Sequence, residues 1–168
     1  MIQTYFGIGK GKTTAAIGGL IRAIGSGKKA LFVQFLKNDK TNECKTLKAL
    51  GVECIHPNCE YVIFEKLTEE AIKKRTECCC KFFDELKTKI AEYDFIVLDE
   101  VLDVVEFGYL PESRLVEIIG SINSNTEIVL TGHTVRESIK EISDYLSFVD
   151  EIKHPYHNGT APRKGIEY

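Results

Sequence analysis

"YFGIGKGKTTAAIG" (Tyr5–Gly18) sets Gly7, Gly9 and Gly11 alternately with Ile8, Lys10 and Lys12, then runs straight into Thr13 and Thr14. Met1 to Phe6 ahead of it reads as a short strand. Behind it, Ala16, Leu20, Ala23 and Ile24 recur at helical spacing over Lys12 to Ile24, and Gly25 and Gly27 end the helix. A strand that breaks into glycines and restarts as a helix at a lysine has the layout of a phosphate-binding P-loop. The amides of Gly9, Lys10, Gly11 and Lys12 are expected to point inward around phosphate oxygens, helped by the positive end of the helix dipole. Lys12 supplies a mobile charge and Thr13 a hydroxyl for Mg²⁺. The strict pattern GxxxxGK[ST] is not met, because Phe6 stands at its first position.

The rest of the chain alternates strand and helix. "KKALFVQFLK" carries Ala30 to Val33 as a buried strand, followed by a short helix near Thr41 to Leu50 and a weak strand near Val52 to His56. Thr68 caps a long periodic segment to Ala91, with Ile72, Cys79, Phe83, Leu86 and Ile90 on one stripe. "YDFIVLDE" is an apolar strand ending in Asp99 and Glu100. Pro111 starts a helix, "TEIVLTG" is a strand, Val135 to Ile142 a helix and "LSFVDEIK" a last strand. Such alternation implies an α/β fold: a P-loop NTPase-like, RecA-like three-layer sandwich around a mostly parallel sheet of about six strands. The length of 168 residues suits a single domain, 1–168.

Asp99 and Glu100 fall at the carboxyl end of their strand, where the crevice of an open α/β sheet receives its ligand. Together with the loop they form an expected Mg²⁺ site: the Thr13 hydroxyl, a carboxylate from Glu100 or Asp99, and phosphate and water for the remaining positions.

Charge and composition narrow the class further. A formal net charge of -3, from 22 Lys and Arg against 25 Asp and Glu, argues against a general nucleic-acid binder. No apolar run approaches the roughly 20 residues of a bilayer span, and no basic leader precedes the first strand, so no membrane is implied and a cytoplasmic location is expected. The six cysteines include no CxxC pair, and Cys78, Cys79 and Cys80 point about 100° apart on a helix; they read as reduced thiols with Cys79 in the core.

The P-loop alone leaves a phosphotransferase or ATPase, and a non-catalytic nucleotide-binding protein, open beside other chemistries. The stretches "GIGKGKTTAAIG", "RAIGSGKKALFVQFLK", "LDEVLDVVEFGYL", "VLTGH" and "KHPYHNGTAPRKGIEY" together resemble the ATP:corrinoid adenosyltransferases of the CobA/BtuR/CobO type, over nearly the whole chain. That family's loop reads GNGKGKTT, so Phe6 at the first position is a shared trait. The resemblance implies that Co(I) of a cobalamin or cobyrinic acid a,c-diamide attacks the 5'-carbon of ATP and that the triphosphate leaves. Matching positions imply that Gly7, Ile8, Gly9, Lys10, Gly11, Lys12, Thr13 and Thr14 hold the triphosphate, with Thr13 and Glu100 serving Mg²⁺. Arg22, Gln34, Lys37 and His154 are further ligand-binding candidates, Tyr109 and Leu110 match the family's "YL", and Lys153, Gly159 and Gly165 lie in a tail expected to turn close to the site. An electron-donating reductase and a homodimer are implied as well.

Three departures bear on the chemistry. The family's "TGR" reads "TGH", which puts the imidazole of His133 where a permanent guanidinium stands. In place of the family's aromatic pair against the lower corrin face stand Ile63, Phe64 and Glu65, with Phe64 the one ring, so poor reduction of Co(II) by a weak reductant is expected. The sequence reads as strand from its start, so the amino-terminal arm of some members is not expected here.

Overall fold

The computed structural model describes residues 1–37, 41–59 and 68–166. The strands are β1 (Ile2–Phe6), β2 (Ala30–Gln34), β3 (Glu53–Ile55), β4 (Phe95–Asp99), β5 (Glu127–Gly132) and β6 (Tyr145–Phe148). Helices α1 (Lys12–Gly25), α2 (Asn42–Ala49), α3 (Glu69–Lys89), α4 (Val101–Glu106), α5 (Glu112–Ser121) and α6 (Glu137–Ile142) connect them. The strands form one six-stranded sheet in the order β3-β2-β4-β5-β1-β6, and every pairing is parallel.

Side-chain alternation along the strands divides the core in two. Leu31, Val33, Ile96, Leu98, Ile128 and Leu130 pack on one face with Phe83, Leu86, Leu115 and Ile118 of α3 and α5. Ala30, Phe32, Phe95, Val97 and Val129 pack on the other with Ala16 and Leu20 of α1 and Cys44 and Leu47 of α2. This period-two division is what a sheet covered on both faces requires, and it yields the expected three layers. Each such apolar side chain contributes about 1.5–3 kcal/mol by leaving water.

Local signals behave as the sequence implies. Thr68 caps α3 by accepting from the Ala71 amide at 3.2 Å. α1 closes at Ser26, whose amide donates to the Ala23 carbonyl at 3.0 Å, and Gly27 then takes φ 85°. α4, between β4 and Pro111, was not expected.

One expectation is corrected. Cys59 and Cys78 are joined in a disulfide, with their Cα atoms 5.8 Å apart, so not all six thiols are reduced. The chain leaving β3 passes beside α3 and brings the two within bridging distance. Cys79 is buried in the core as expected. Phe64, with Ile63 and Glu65, lies outside the described residues.

Candidate active site

β1 and β4 are not neighbours: β5 lies between them, so the loop after β1 and the carboxylates after β4 face each other across the end of β5. That end contributes Thr131 and His133 to the space between. All three strand ends point the same way because the sheet is parallel, which is where α/β ligands bind.

The glycines of the loop answer two different demands. Gly11 caps α1 in a left-handed conformation (φ 118°). At Gly9 the demand is space, since a Cβ would stand 2.3 Å from the Asp150 carbonyl oxygen. Gly7 meets both demands, with φ 120° and a Cβ position 2.3 Å from the Val149 oxygen. The loop is therefore pressed against the chain leaving β6, and it is tied there: the Gly7 amide donates to the His133 carbonyl at 3.0 Å and the Gly9 amide to that of Val149 at 2.8 Å. This corrects the expectation that the Gly9 amide turns inward. The leading amides of α1 have no intrahelical acceptor and remain available as donors.

Lys12 folds its ammonium back over the loop, donating to the carbonyls of Gly7 at 2.6 Å and Gly9 at 2.9 Å. Burial lowers its pKa, and the carboxylates of Asp103, Glu100 and Asp99 offset this only in part. An anion arriving in the loop would restore what burial takes away.

Asp99 is fully buried and held from several directions. Its Oδ1 accepts from the hydroxyls of Thr13 and Thr131, both at 2.8 Å, and its Oδ2 accepts from Gln34 Nε2 at 3.3 Å. Glu100 takes φ 62°, a left-handed conformation costly for a residue with a side chain, and its amide donates to Thr131 Oγ1 at 2.8 Å. The turn aims its carboxylate into the cleft. There Lys37 Nζ stands 2.9 Å from Glu100 and 3.7 Å from Asp99. Burial raises the Glu100 pKa; Lys37 pulls it down and Asp99 adds to the rise. Burial also works against the Lys37 charge, but Asp99 and Glu100 outweigh it and the pKa is raised.

Lys37 thus answers two carboxylates, one buried at Asp99 and one partly exposed at Glu100. Oxygen donors at Thr13, Asp99 and Glu100, short of positive charge, fit a hard divalent cation that keeps phosphate and water as its other ligands. No group of three or more His, Cys, Asp or Glu placed to hold a metal occurs among the described residues.

A cavity of about 670 Å³ opens over these groups, within the range of small-ligand sites. Lys10, Thr14, Lys37, Glu100 and His133 line its polar end, while Ile17, Ile21 and Leu47 make an apolar wall between α1 and α2. His154 and Gly165 from the tail complete the rim, as that segment was expected to do. His154 Nδ1 also accepts from the Tyr156 amide at 3.2 Å, capping a short 3-10 turn at Pro155–Asn158.

Several candidates fall elsewhere. Arg22 lines a separate depression with Gln3, Tyr5 and Glu127, because it sits about 100° round α1 from Ile21. Gln34 is buried behind the site and touches it through Asp99 and Glu43, to each of which its Nε2 donates at 3.3 Å. Tyr109 and Leu110 are core residues, and Lys153 is exposed outside the cavity lining. The sequence reading missed Asp103 and Thr131. Asp103 lies one helical turn beyond Asp99 and Glu100, and Thr131 ends the strand beside β4; those spacings were the available signals.

Comparison with known proteins adds a second line. The profile of the family described as ATP:corrinoid adenosyltransferase BtuR/CobO/CobP matches residues 1–168. The corrinoid adenosyltransferase of Escherichia coli K12 is 31% identical over 173 residues, spanning all of this chain and 85% of that protein. The corrinoid adenosyltransferase CobA of Salmonella typhimurium gives the same identity and coverage. A corrinoid adenosyltransferase of Sinorhizobium is 27% identical over all of this chain and 80% of its own length. Among solved structures, domain III of the Thermotoga maritima replication initiation protein DnaA aligns with 88% of this chain and 54% of that one, at 15% identity and a TM-score of 0.40.

Proposed function

The chain belongs to the ATP:corrinoid adenosyltransferase family, and from that premise we propose that its cleft holds ATP for transfer of the 5'-deoxyadenosyl group to a corrinoid. The observation that carries this is the meeting of Lys12, Thr13 and Glu100 at the polar end of one cavity whose other wall is apolar. The polar end suits a triphosphate, and the wall of Ile17, Ile21 and Leu47 suits the nucleoside.

In this reading, Co(I) of the corrinoid is the nucleophile. A Co–C5' bond forms with the cobalt electron pair, the C5'–O bond breaks, and the electrons leave on triphosphate. Mg²⁺, when bound, supplies charge neutralisation on that leaving group. Thr13 and Glu100 hold the metal, with Asp99 orienting Thr13 from behind. Lys12 swings from the loop carbonyls to the phosphates, where it stabilises charge that grows as the bond breaks. The first turn of α1 donates amides, and His133 approaches from the β5 side. No side chain needs to remove a proton, since cobalt itself attacks. Phe64 keeps the corrin-facing role that the resemblance assigns.

The resemblance alone supports a homodimer and a reductase that delivers the electron to cobalt. A cytoplasmic setting rests on composition; no helix among the described residues is long and apolar enough to cross a membrane.

The test is product analysis with ATP, Mg²⁺ and a chemically prereduced Co(I) corrinoid. Inorganic triphosphate together with a light-sensitive alkylcobalt spectrum is expected. ADP or free phosphate without that spectrum would make the protein a phosphotransferase or ATPase, and tight corrinoid binding without turnover would make it a carrier.

A further inference from the structure

The carboxylate of Asp103 is almost fully buried, at 3% exposure, on the face of α4 that meets the end of β5. Among the described residues, its hydrogen bonds all come from one. The His133 amide donates to Oδ1 at 2.9 Å, and His133 Nδ1 lies 3.0 Å from Oδ1 and 3.1 Å from Oδ2. A carboxylate only accepts, so the proton of this contact sits on Nδ1. The ring is otherwise open, its side chain 59% exposed at the cavity wall, and Nε2 on its far edge has no partner among the described residues.

We propose that Asp103 is a positioning residue that holds the His133 ring by Nδ1 so that Nε2 meets the triphosphate of ATP, and that nucleotide binding draws a proton from solvent onto that ring. The inference rests on the cleft being the ATP site. With Nδ1 donating to Asp103, a neutral imidazole offers only a lone pair at Nε2, which a phosphate oxygen repels. The charged ring donates from both edges, one to Asp103 and one to phosphate. A bound polyanion therefore favours the charged form, and by linkage binding and protonation reinforce each other.

The surroundings set the balance. Glu100 at the head of α4, Glu43 of α2, Lys12 and Lys10 of the loop, Lys37 after β2 and His154 of the tail line the same cavity. The cations attract the phosphates whatever the state of the ring. Among the described residues, Asp103 is the one group that grips it directly, and it opposes the ligand unless the ring is charged. The Gly7 amide bonds the His133 carbonyl, so the ring and the phosphate loop are held in one frame.

The experiment is titration calorimetry of ATP with Mg²⁺ into the full chain, at one pH, in two buffers of different ionisation enthalpy, which counts protons taken up. Wild type is expected to take up more protons per ATP than H133R, the nucleotide's own titration being common to both. D103N should fall to the H133R count and bind ATP about tenfold more weakly, as expected for loss of one charge-assisted hydrogen bond. Thermal unfolding checks that D103N folds; should it not, wild type against H133R decides alone. Equal proton counts in wild type and H133R would reduce the pair to a structural clamp and overturn the proposal. Absence of ATP binding in wild type would instead remove the cleft reading on which it stands.

Discussion

The Thr13 hydroxyl donates to Asp99 Oδ1 at 2.8 Å across 86 positions of sequence, joining the first turn of α1 to the end of β4. The bond makes Asp99 a support and leaves Glu100 as the carboxylate that faces the cavity. Thr131 donates to the same oxygen, so removing Thr13 does not orphan Asp99. Thr13→Ala is thus expected to change stability by no more than about 1 kcal/mol, the scale of one net hydrogen bond. Its effect should appear in Mg²⁺: the gain in ATP affinity on adding the metal, read by calorimetry with and without chelator, should largely vanish. An unaltered metal dependence would take Thr13 out of the metal shell.

Glu100 gives a prediction with a definite sign. Its folded pKa is raised by burial, with Lys37 opposing and Asp99 reinforcing, so the folded protein binds that proton more tightly than the unfolded chain. Ionising Glu100 then works against folding: its contribution is favourable below the unfolded carboxylate pKa and is lost as pH rises through the folded one. Glu100→Gln should accordingly unfold at a higher temperature than wild type at neutral pH without metal, and the difference should shrink in acid. Activity with Mg²⁺ should drop by about a hundredfold or more, since metal stabilisation of a leaving group is worth several kcal/mol. A variant less stable than wild type at neutral pH would contradict the burial argument.

Among the described residues, Lys12 in the free protein bonds only loop carbonyls, and burial disfavours its charge. Lys12→Ala should therefore leave unfolding nearly unchanged while ATP affinity falls about ten- to a hundredfold, the value of a charged hydrogen bond to phosphate. Calorimetry beside a thermal melt separates the two effects. A folded variant with wild-type affinity would place the nucleotide elsewhere.

These sites were legible to different degrees, for physical reasons. Gly7, Gly11, Lys12 and Thr13 announce themselves because the backbone and charge demands of a phosphate loop are local. Asp99 and Glu100 were visible as a strand end, but their division of labour was not: it depends on β5 lying between β1 and β4, and on the left-handed turn at Glu100. Asp103 was hidden in "EVLDVVEF", whose short helix α4 has only six residues to show a period. Arg22 shows the converse, since one residue along a helix separates the cleft wall at Ile21 from a different surface. The Cys59–Cys78 bridge was beyond reach because pairing depends on how β3 and α3 are placed in space.

Gly9 tests whether the phosphate loop is rigid. A methyl group there would lie 2.3 Å from the Asp150 oxygen, 2.6 Å from its carbonyl carbon and 2.8 Å from the Val149 oxygen. All three are backbone atoms, so no side chain can swing aside. Either the loop or the chain after β6 must shift, and the 2.8 Å bond from the Gly9 amide to Val149 is strained with it. Gly9→Ala should cost about 1–3 kcal/mol in urea unfolding, the usual range for overpacking, and should weaken ATP binding because the displaced segment carries the loop. Gly11 is a useful contrast: nothing lies within 4 Å of its added methyl, but its φ of 118° disfavours any side chain. Gly11→Ala should lose ATP affinity through a changed helix start, without the clash at residues 149–150. If Gly9→Ala keeps both the wild-type urea midpoint and the wild-type affinity, the contact with the β6 exit does not shape the loop, and the cradle must be set from the α1 side alone.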